Sequence, residues 1–224
     1  MASGRYPTPI PTGEECMFRS LRTPVLLAFA LLLAATAVVW PSDAAADCPE
    51  TGCSALALQI LNLTYNGQPR VTFRTDHSSG LGVGDGASAY GNIQDTAAGL
   101  KAKTSSYRNG SLGGGQYWGG ASSIWLTKRM LNGLYYVGSA YRIRVGEMAG
   151  GAHSNGSYHY RDNLGRAFDI DTINGYSYGN NTAEFQRLAN AIGAYCKQLG
   201  SNPNDTFYPA NDSLHQDHVH CSWQ

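Results

Sequence analysis

The sequence has no excess of charge of either sign, since 16 lysines and arginines stand against 16 acids in 224 residues, and it holds no basic run. A nucleic-acid surface needs clustered cations, so nucleic acid is not an expected partner. It also lacks a long apolar stretch. The longest, Val25 to Trp40, holds 16 residues and falls short of the roughly 20 that a spanning helix requires. Arg19 and Arg22 precede it, and Pro41 and the small residues Ala44, Ala45 and Ala46 follow. That order has the layout of a secretory signal peptide. The expectation is therefore a signal at residues 1–46, with Met17 as the alternative start. A secreted, extracellular domain over 47–224 would follow, a monomer with no stable membrane insertion after cleavage.

Cysteine is scarce, with five in the chain and no C-x-x-C pair of the kind that structural zinc sites use. Cys16 leaves with the signal, so Cys48, Cys53, Cys196 and Cys221 remain, an even number suited to disulfides in an oxidising compartment. Four cysteines allow three pairings, of which Cys48 with Cys53 and Cys196 with Cys221 is the preferred one. N-x-S/T sequons begin at Asn62, Asn109, Asn155, Asn180, Asn204 and Asn211, as in a secreted glycoprotein. No internal repeat or low-complexity segment occurs.

Helical spacing of apolar residues is present from Ser54 to Leu63, from about Gly86 to Ala98, and through Ile124, Met130, Leu131, Leu134 and Val137. The strongest helix covers 182–199, with Asn181 and Glu184 spaced as a cap and its partner and Gly200 at the exit. Period-two alternation marks strands from Tyr141, through Ala167 to Asp171, and in "HVHCSW". Helices first and strands later imply an α+β fold, a small antiparallel sheet with flanking helices.

Three of the six histidines, His215, His218 and His220, fall within six residues beside Asp217. On a strand His218 and His220 share one face while Val219 takes the other, and Asp217 is turned away from that face. A zinc peptidase site needs three protein ligands and one open position for water. Further candidates stand in "HSNGSYHYRDNLGRAFDID", where His159 precedes a turn and Asp169 lies on a strand behind the small residues Gly165 and Ala167.

Ser157 and His159, then Gly165, Ala167 and Asp169, then His218 and His220 resemble the S-x-H, G-x-A-x-D and H-x-H signature of one group of zinc peptidases. That group holds D-Ala-D-Ala carboxypeptidases, murein endopeptidases and the N-terminal signalling domain of hedgehog proteins. The likeness runs from about Tyr141 to Trp223 and is similar in particular to the H-x-x-H-x-H run of murein endopeptidases. It implies a hedgehog/DD-peptidase-like fold in which His159, Asp169 and His220 hold Zn2+, with His218 beside the metal. It implies a metallopeptidase acting on peptidoglycan or a small peptide substrate.

The chain departs from the group by placing nine residues, not six, between His159 and Asp169. Asp162 has the regular spacing to Asp169 and is the alternative first ligand. No arginine stands out as a holder of a terminal carboxylate, which favours an endopeptidase over a carboxypeptidase. His218 is the first candidate for the base and Asp217 the second, while His153, Ser157 and His215 are candidates to line the substrate groove. Glu147 is a candidate hydrogen-bond partner of a ligand histidine, and Asp171 a candidate cap or turn residue. The rival readings are a catalytically silent hedgehog-like zinc domain that binds or signals, and a carbohydrate binder using Tyr117, Trp118 and Trp125, aromatics that core packing would also explain.

Overall fold

A computed structural model of the protein describes residues 52–77, 85–105, 122–151, 153 and 156–224, all within a unit running Ser42–Gln224. The expected signal peptide, Cys48, Tyr117, Trp118, Asn109 and Asn155 lie outside the described residues. In chain order the elements are α1 (Gly52–Leu61), β1 (Thr64–Tyr65), β2 (Gln68–Pro69), β3 (Val71–Phe73), α2 (Ala89–Ala97), β4 (Ala102–Lys103) and β5 (Ser123–Leu126). Then come α3 (Lys128–Ala140), β6 (Ile143–Glu147), a 3-10 turn (Arg161–Asn163), β7 (Leu164–Gly165), β8 (Ala167–Ile173), α4 (Thr182–Gln198) and β9 (Val219–Ser222).

Three of the helices, α2, α3 and α4, begin where a side chain can satisfy a free backbone N–H. Ser88 Oγ accepts from Gly91 N in α2, Thr127 Oγ1 from Met130 N in α3, and Asn181 Oδ1 from Glu184 N in α4. The Asn181 cap is the one the sequence shows. The cap at Thr127 also explains a correction: the apolar series that opens at Ile124 is not helical throughout. Ser123–Leu126 is strand β5, and α3 starts only at Lys128. Its buried Met130, Leu131, Leu134 and Val137 keep the spacing of one helical face.

The main sheet has the order β3-β6-β8-β9. β6 with β8 and β8 with β9 are antiparallel, as expected, but β3 pairs parallel to β6, so the sheet is mixed. A second sheet, β4-β5-β7, lies apart from it in hydrogen bonding. The fold is α+β with small sheets, and four helices among the described residues. Cys196 of α4 bonds to Cys221 of β9, the pairing preferred from the sequence. The buried Trp223 ring lies so close to α3 that a Cβ on Gly133 would sit 2.2 Å from it, so the helix can approach the C-terminal strand only with glycine there.

Two registers in the main sheet decide where chemistry can occur. Asp169 on β8 stands directly opposite His220 on β9 and opposite Glu147 on β6. Residues paired across antiparallel strands have their side chains within contact distance on the same face. Two residues 51 apart in sequence, Asp169 and His220, thereby become spatial neighbours.

Candidate metal centre

His159, Asp169 and His220 converge. Asp169 Oδ1 lies 2.8 Å from His220 Nδ1 and 3.3 Å from His159 Nε2, and the two nitrogens are 3.2 Å apart. Ligand atoms on a tetrahedral ion at bond lengths of 2.0–2.2 Å stand about 3.4 Å apart, so the triangle has the size that one ion requires. All three side chains are buried, at 1%, 8% and 7% exposure.

The other nitrogen of each ring is committed elsewhere. His159 Nδ1 donates to the Met148 carbonyl, and His220 Nε2 faces Asp205 Oδ2 at 3.4 Å. This leaves His159 Nε2 and His220 Nδ1 as the lone-pair atoms, aimed at the Asp169 oxygen. Without a positive charge between them, lone pairs and a carboxylate would repel. Burial alone would lower the His220 pKa, but Asp169 and Asp205 outweigh it and hold the ring at about 9. Burial alone would raise the Asp169 pKa, and the two imidazoles hold it well below the usual carboxylate range. A proton or a metal cation is what this arrangement demands. Two imidazoles and one carboxylate, with the outer nitrogens tied to oxygen acceptors, are a donor set that fits zinc.

The structure places His153 closer than the sequence suggested. Its ring stacks on His159 with centroids 3.6 Å apart and planes 9° from parallel, while its Nε2 donates to the Gly150 carbonyl at 2.7 Å. Ligand atoms of His153, His159 and Asp169 lie within 4.8 Å of one another, so His153 is a second possible donor. Orientation favours His220. Lone pairs of stacked rings run in parallel planes, and an ion in the plane of His159 would lie well out of the plane of His153. Burial pushes the His153 pKa well down, so the ring is neutral.

Asp162 is not at the centre. It sits at φ +58 in the 3-10 turn, 64% exposed, and its carboxylate pairs with Arg166 at 3.1 Å. The extra residues between His159 and Asp169 form this outward turn, which leaves His159 in place. Ser157 shapes the same turn: its Oγ accepts from His159 N at 3.3 Å and its carbonyl from Arg161 N at 2.9 Å.

A cleft of about 650 Å³ opens over the centre, lined by His153, Ser157, His215, Asp217 and His218 among others. His218 Nδ1 donates to Asp217 Oδ1 at 2.7 Å. Strand alternation does not turn Asp217 away, because β9 begins only at Val219 and both preceding residues belong to a loop. Burial lowers the His218 pKa, yet Asp217 and Asp169 raise it further, so it stands above the ordinary value. His215 packs between Phe207 and His218, at centroid distances of 4.7 and 4.6 Å.

Sequence reasoning missed four residues here. Asp205 orients His220. Arg74 and Arg144 reach the cleft wall, where Asp171 accepts from Arg144 Nε at 2.7 Å and from Arg74 Nη1 at 3.2 Å. Asp171 is thus an ion-pair partner rather than a cap or turn residue. Asn92 lies behind the centre, where its Oδ1 accepts from Ala149 N and Gly150 N. Glu147 bonds to His77 Nδ1 at 3.2 Å rather than to His159 or His220, and the carbonyl that holds His159 belongs to the next residue. Trp125, the one described member of the aromatic trio, lies half-buried against the core with Lys101 over its ring.

Among the described residues no helix is long and apolar enough to cross a membrane. The described residues do hold a His/His/Asp cluster able to bind a metal ion. Compared with known protein families, curated proteins and solved structures, the chain matches none.

Proposed function

We propose that the chain is a secreted zinc metallopeptidase that hydrolyses amide bonds in peptidoglycan stem peptides or cross-links. The observation that carries this reading is the convergence of His159 Nε2, His220 Nδ1 and Asp169 Oδ1 at the floor of an open cleft. Bound zinc would supply a water of pKa lowered from 15.7 to about 7 and would polarise the scissile carbonyl. The buried disulfide and the signal-like N-terminus support an extracellular setting.

His218 and Asp217 supply the proton chemistry. Asp217 fixes the His218 tautomer through Nδ1, which leaves Nε2 for the cleft. With its pKa above the ordinary value, the ring carries a proton near neutral pH for part of the time. It can take a proton from the attacking water, and in its charged form it stabilises the oxyanion or protonates the leaving amine. Asp217, 65% exposed, is the second candidate for the base. His153, Ser157 and His215 line the approach.

Arg144 bears on the kind of substrate. Its Nε and Nη2 are bound to Asp171, and among the described residues its Nη1 has no hydrogen-bond partner, while Arg74 spends all three nitrogens on Asp76 and Asp171. A substrate carboxylate at that wall would meet Arg144, so a carboxypeptidase regains the ground that the sequence alone conceded to an endopeptidase.

One observation favours the second reading, a catalytically silent zinc domain. Rotation of His153 would add a fourth donor, and four protein ligands close a zinc site to water. Zinc content and release of soluble muropeptides by the purified chain decide between them. The peptidase requires one zinc and release that His218→Ala lowers about 10²–10⁴-fold while keeping the metal. His220→Ala should lose the metal in either case. One zinc without release from several wall types would transfer the assignment to the silent domain, and absence of zinc would end both.

A further inference from the structure

Behind the cleft, the segment from Met148 to Gly151 leaves β6 fully buried, and its hydrogen bonds do not go to the sheet. Ala149 N donates to Asn92 Oδ1 at 2.7 Å and Gly150 N to the same oxygen at 3.2 Å, while Gly151 N donates to Ser105 Oγ at 2.7 Å. The carbonyls of the same segment take the opposite direction: Met148 O accepts from His159 Nδ1 and Gly150 O from His153 Nε2.

A peptide group is planar and trans, so its C=O and N–H point to opposite sides of one rigid unit. The carbonyl of Met148 and the N–H of Ala149 form one such unit, gripped by His159 on one side and Asn92 on the other. The carbonyl of Gly150 and the N–H of Gly151 form the next unit but one, gripped by His153 and Ser105. Asn92 is itself immobile: it is wholly buried on α2, and its Nδ2 donates to Lys103 O at 2.8 Å. The fit is close, because a Cβ on Gly150 would stand 1.9 Å from Ala87 O, just before α2.

We propose that Asn92 is a positioning residue for the metal centre, which through the Met148–Ala149 peptide fixes the His159 ring with Nδ1 protonated and Nε2 presented to the ion. Ser105 holds the Gly150–Gly151 peptide in the same way, but for His153. This rests on the reading that His159, Asp169 and His220 bind zinc. A partner that sets the tautomer of a ligand histidine is worth about 10–100-fold in metal affinity.

The test compares zinc affinity, measured by chelator competition on the mature chain, for wild type, Asn92→Ala, Asn92→Asp and Ser105→Ala, with folding of each apo form checked by near-ultraviolet circular dichroism. Asn92→Ala should bind zinc at least tenfold more weakly. Asn92→Asp keeps the acceptor for Ala149 N–H but sets an acceptor against Lys103 O in place of the Nδ2 donor, so it should recover only part of the loss. Ser105→Ala removes a buried bond of the same length but should stay within about twofold of wild type, the direction in which a general loss of packing would not go. Equal losses in Asn92→Ala and Ser105→Ala, or none in Asn92→Ala, would overturn the proposal while wild type still binds zinc. A wild type that binds no zinc would remove the metal reading and this inference together. Should Asn92→Ala fail to fold, the 15N shifts of the His159 ring in the wild-type apo chain decide: protonated Nδ1 in the neutral ring supports the proposal, and protonated Nε2 overturns it.

Discussion

Removing the Cys196–Cys221 bridge should destabilise the chain without dismantling the metal centre. The bridge spans 25 residues of sequence and ties α4 to β9, one residue after His220. A loop of that size costs the unfolded chain about 12 cal/mol/K of entropy, which is about 3.5 kcal/mol at 25 °C. For a domain of 150–250 residues each kcal/mol moves the melting temperature by about 2–4 °C, so a fall of about 7–14 °C is expected. Most of this acts on the unfolded state. In the folded chain His220 is still held without the disulfide: its N–H donates to Phe207 O and its carbonyl accepts from Phe207 N, both at 2.9 Å, and it pairs with Asp169 across the sheet. The assay is differential scanning calorimetry of the Cys196→Ala/Cys221→Ala double variant against wild type, with zinc content measured on both. Mutation rather than reductant isolates this bridge from any other. A fall of less than about 3 °C would refute the loop-entropy argument. Loss of zinc from a variant that remains folded would show that the bridge, and not the strand pairing, holds His220.

His77 gives the chain a basic limit. Its hydrogen bond to Glu147, helped by Asp85 and opposed by burial, raises its pKa from 6.5 to about 9. The stabilisation is complete below 6.5 and is lost as pH rises through 9, a loss of about 3 kcal/mol by linkage. Urea midpoints at pH 6, 7.5, 9 and 10 should fall across that window in wild type and stay flatter in His77→Gln; parallel curves would remove His77 as the cause. The two aspartates that compete for a ligand role separate by zinc titration. Asp162→Ala should bind within about twofold of wild type, whereas Asp169→Ala should lose about 100-fold or more, by the scale of losing a ligand rather than its support. The reverse order would return the first-ligand role to the exposed turn.

The parts that were legible in the sequence are those written in local spacing. Asn181 and Glu184 announce the start of α4, and the cap forms between residues three apart. The final strand forms at Val219–Ser222, within the segment where period two marked one, although all four of its residues are buried. The approach of His159, Asp169 and His220 was readable through a resemblance of motifs, since spacing alone says nothing about which β-strands lie side by side. β3 and β5 were not readable, because three or four residues carry too little alternation to stand out from a helix or loop. The direction of β3 was beyond reach for another reason: parallel pairing to β6 joins residues about 70 apart and leaves no turn signature between them.

By itself, the sequence determined the start of α4 at its Asn181 cap, the rough placement of the other helices, the supply of imidazole and carboxylate, and the cysteines that could pair. These follow from interactions within a few residues, where the backbone allows only a small set of conformations. The tertiary structure alone decided that Asp169 faces His220, that Asp162 points outward to Arg166, and that Asp217 turns back to His218. It also brought Asn92 to a peptide 57 residues away and Arg74 to Asp171 across 97. Side chains of ordinary type gain such roles only when burial and sheet register give them one partner and exclude water. Nothing in their own neighbourhood along the chain marks them beforehand.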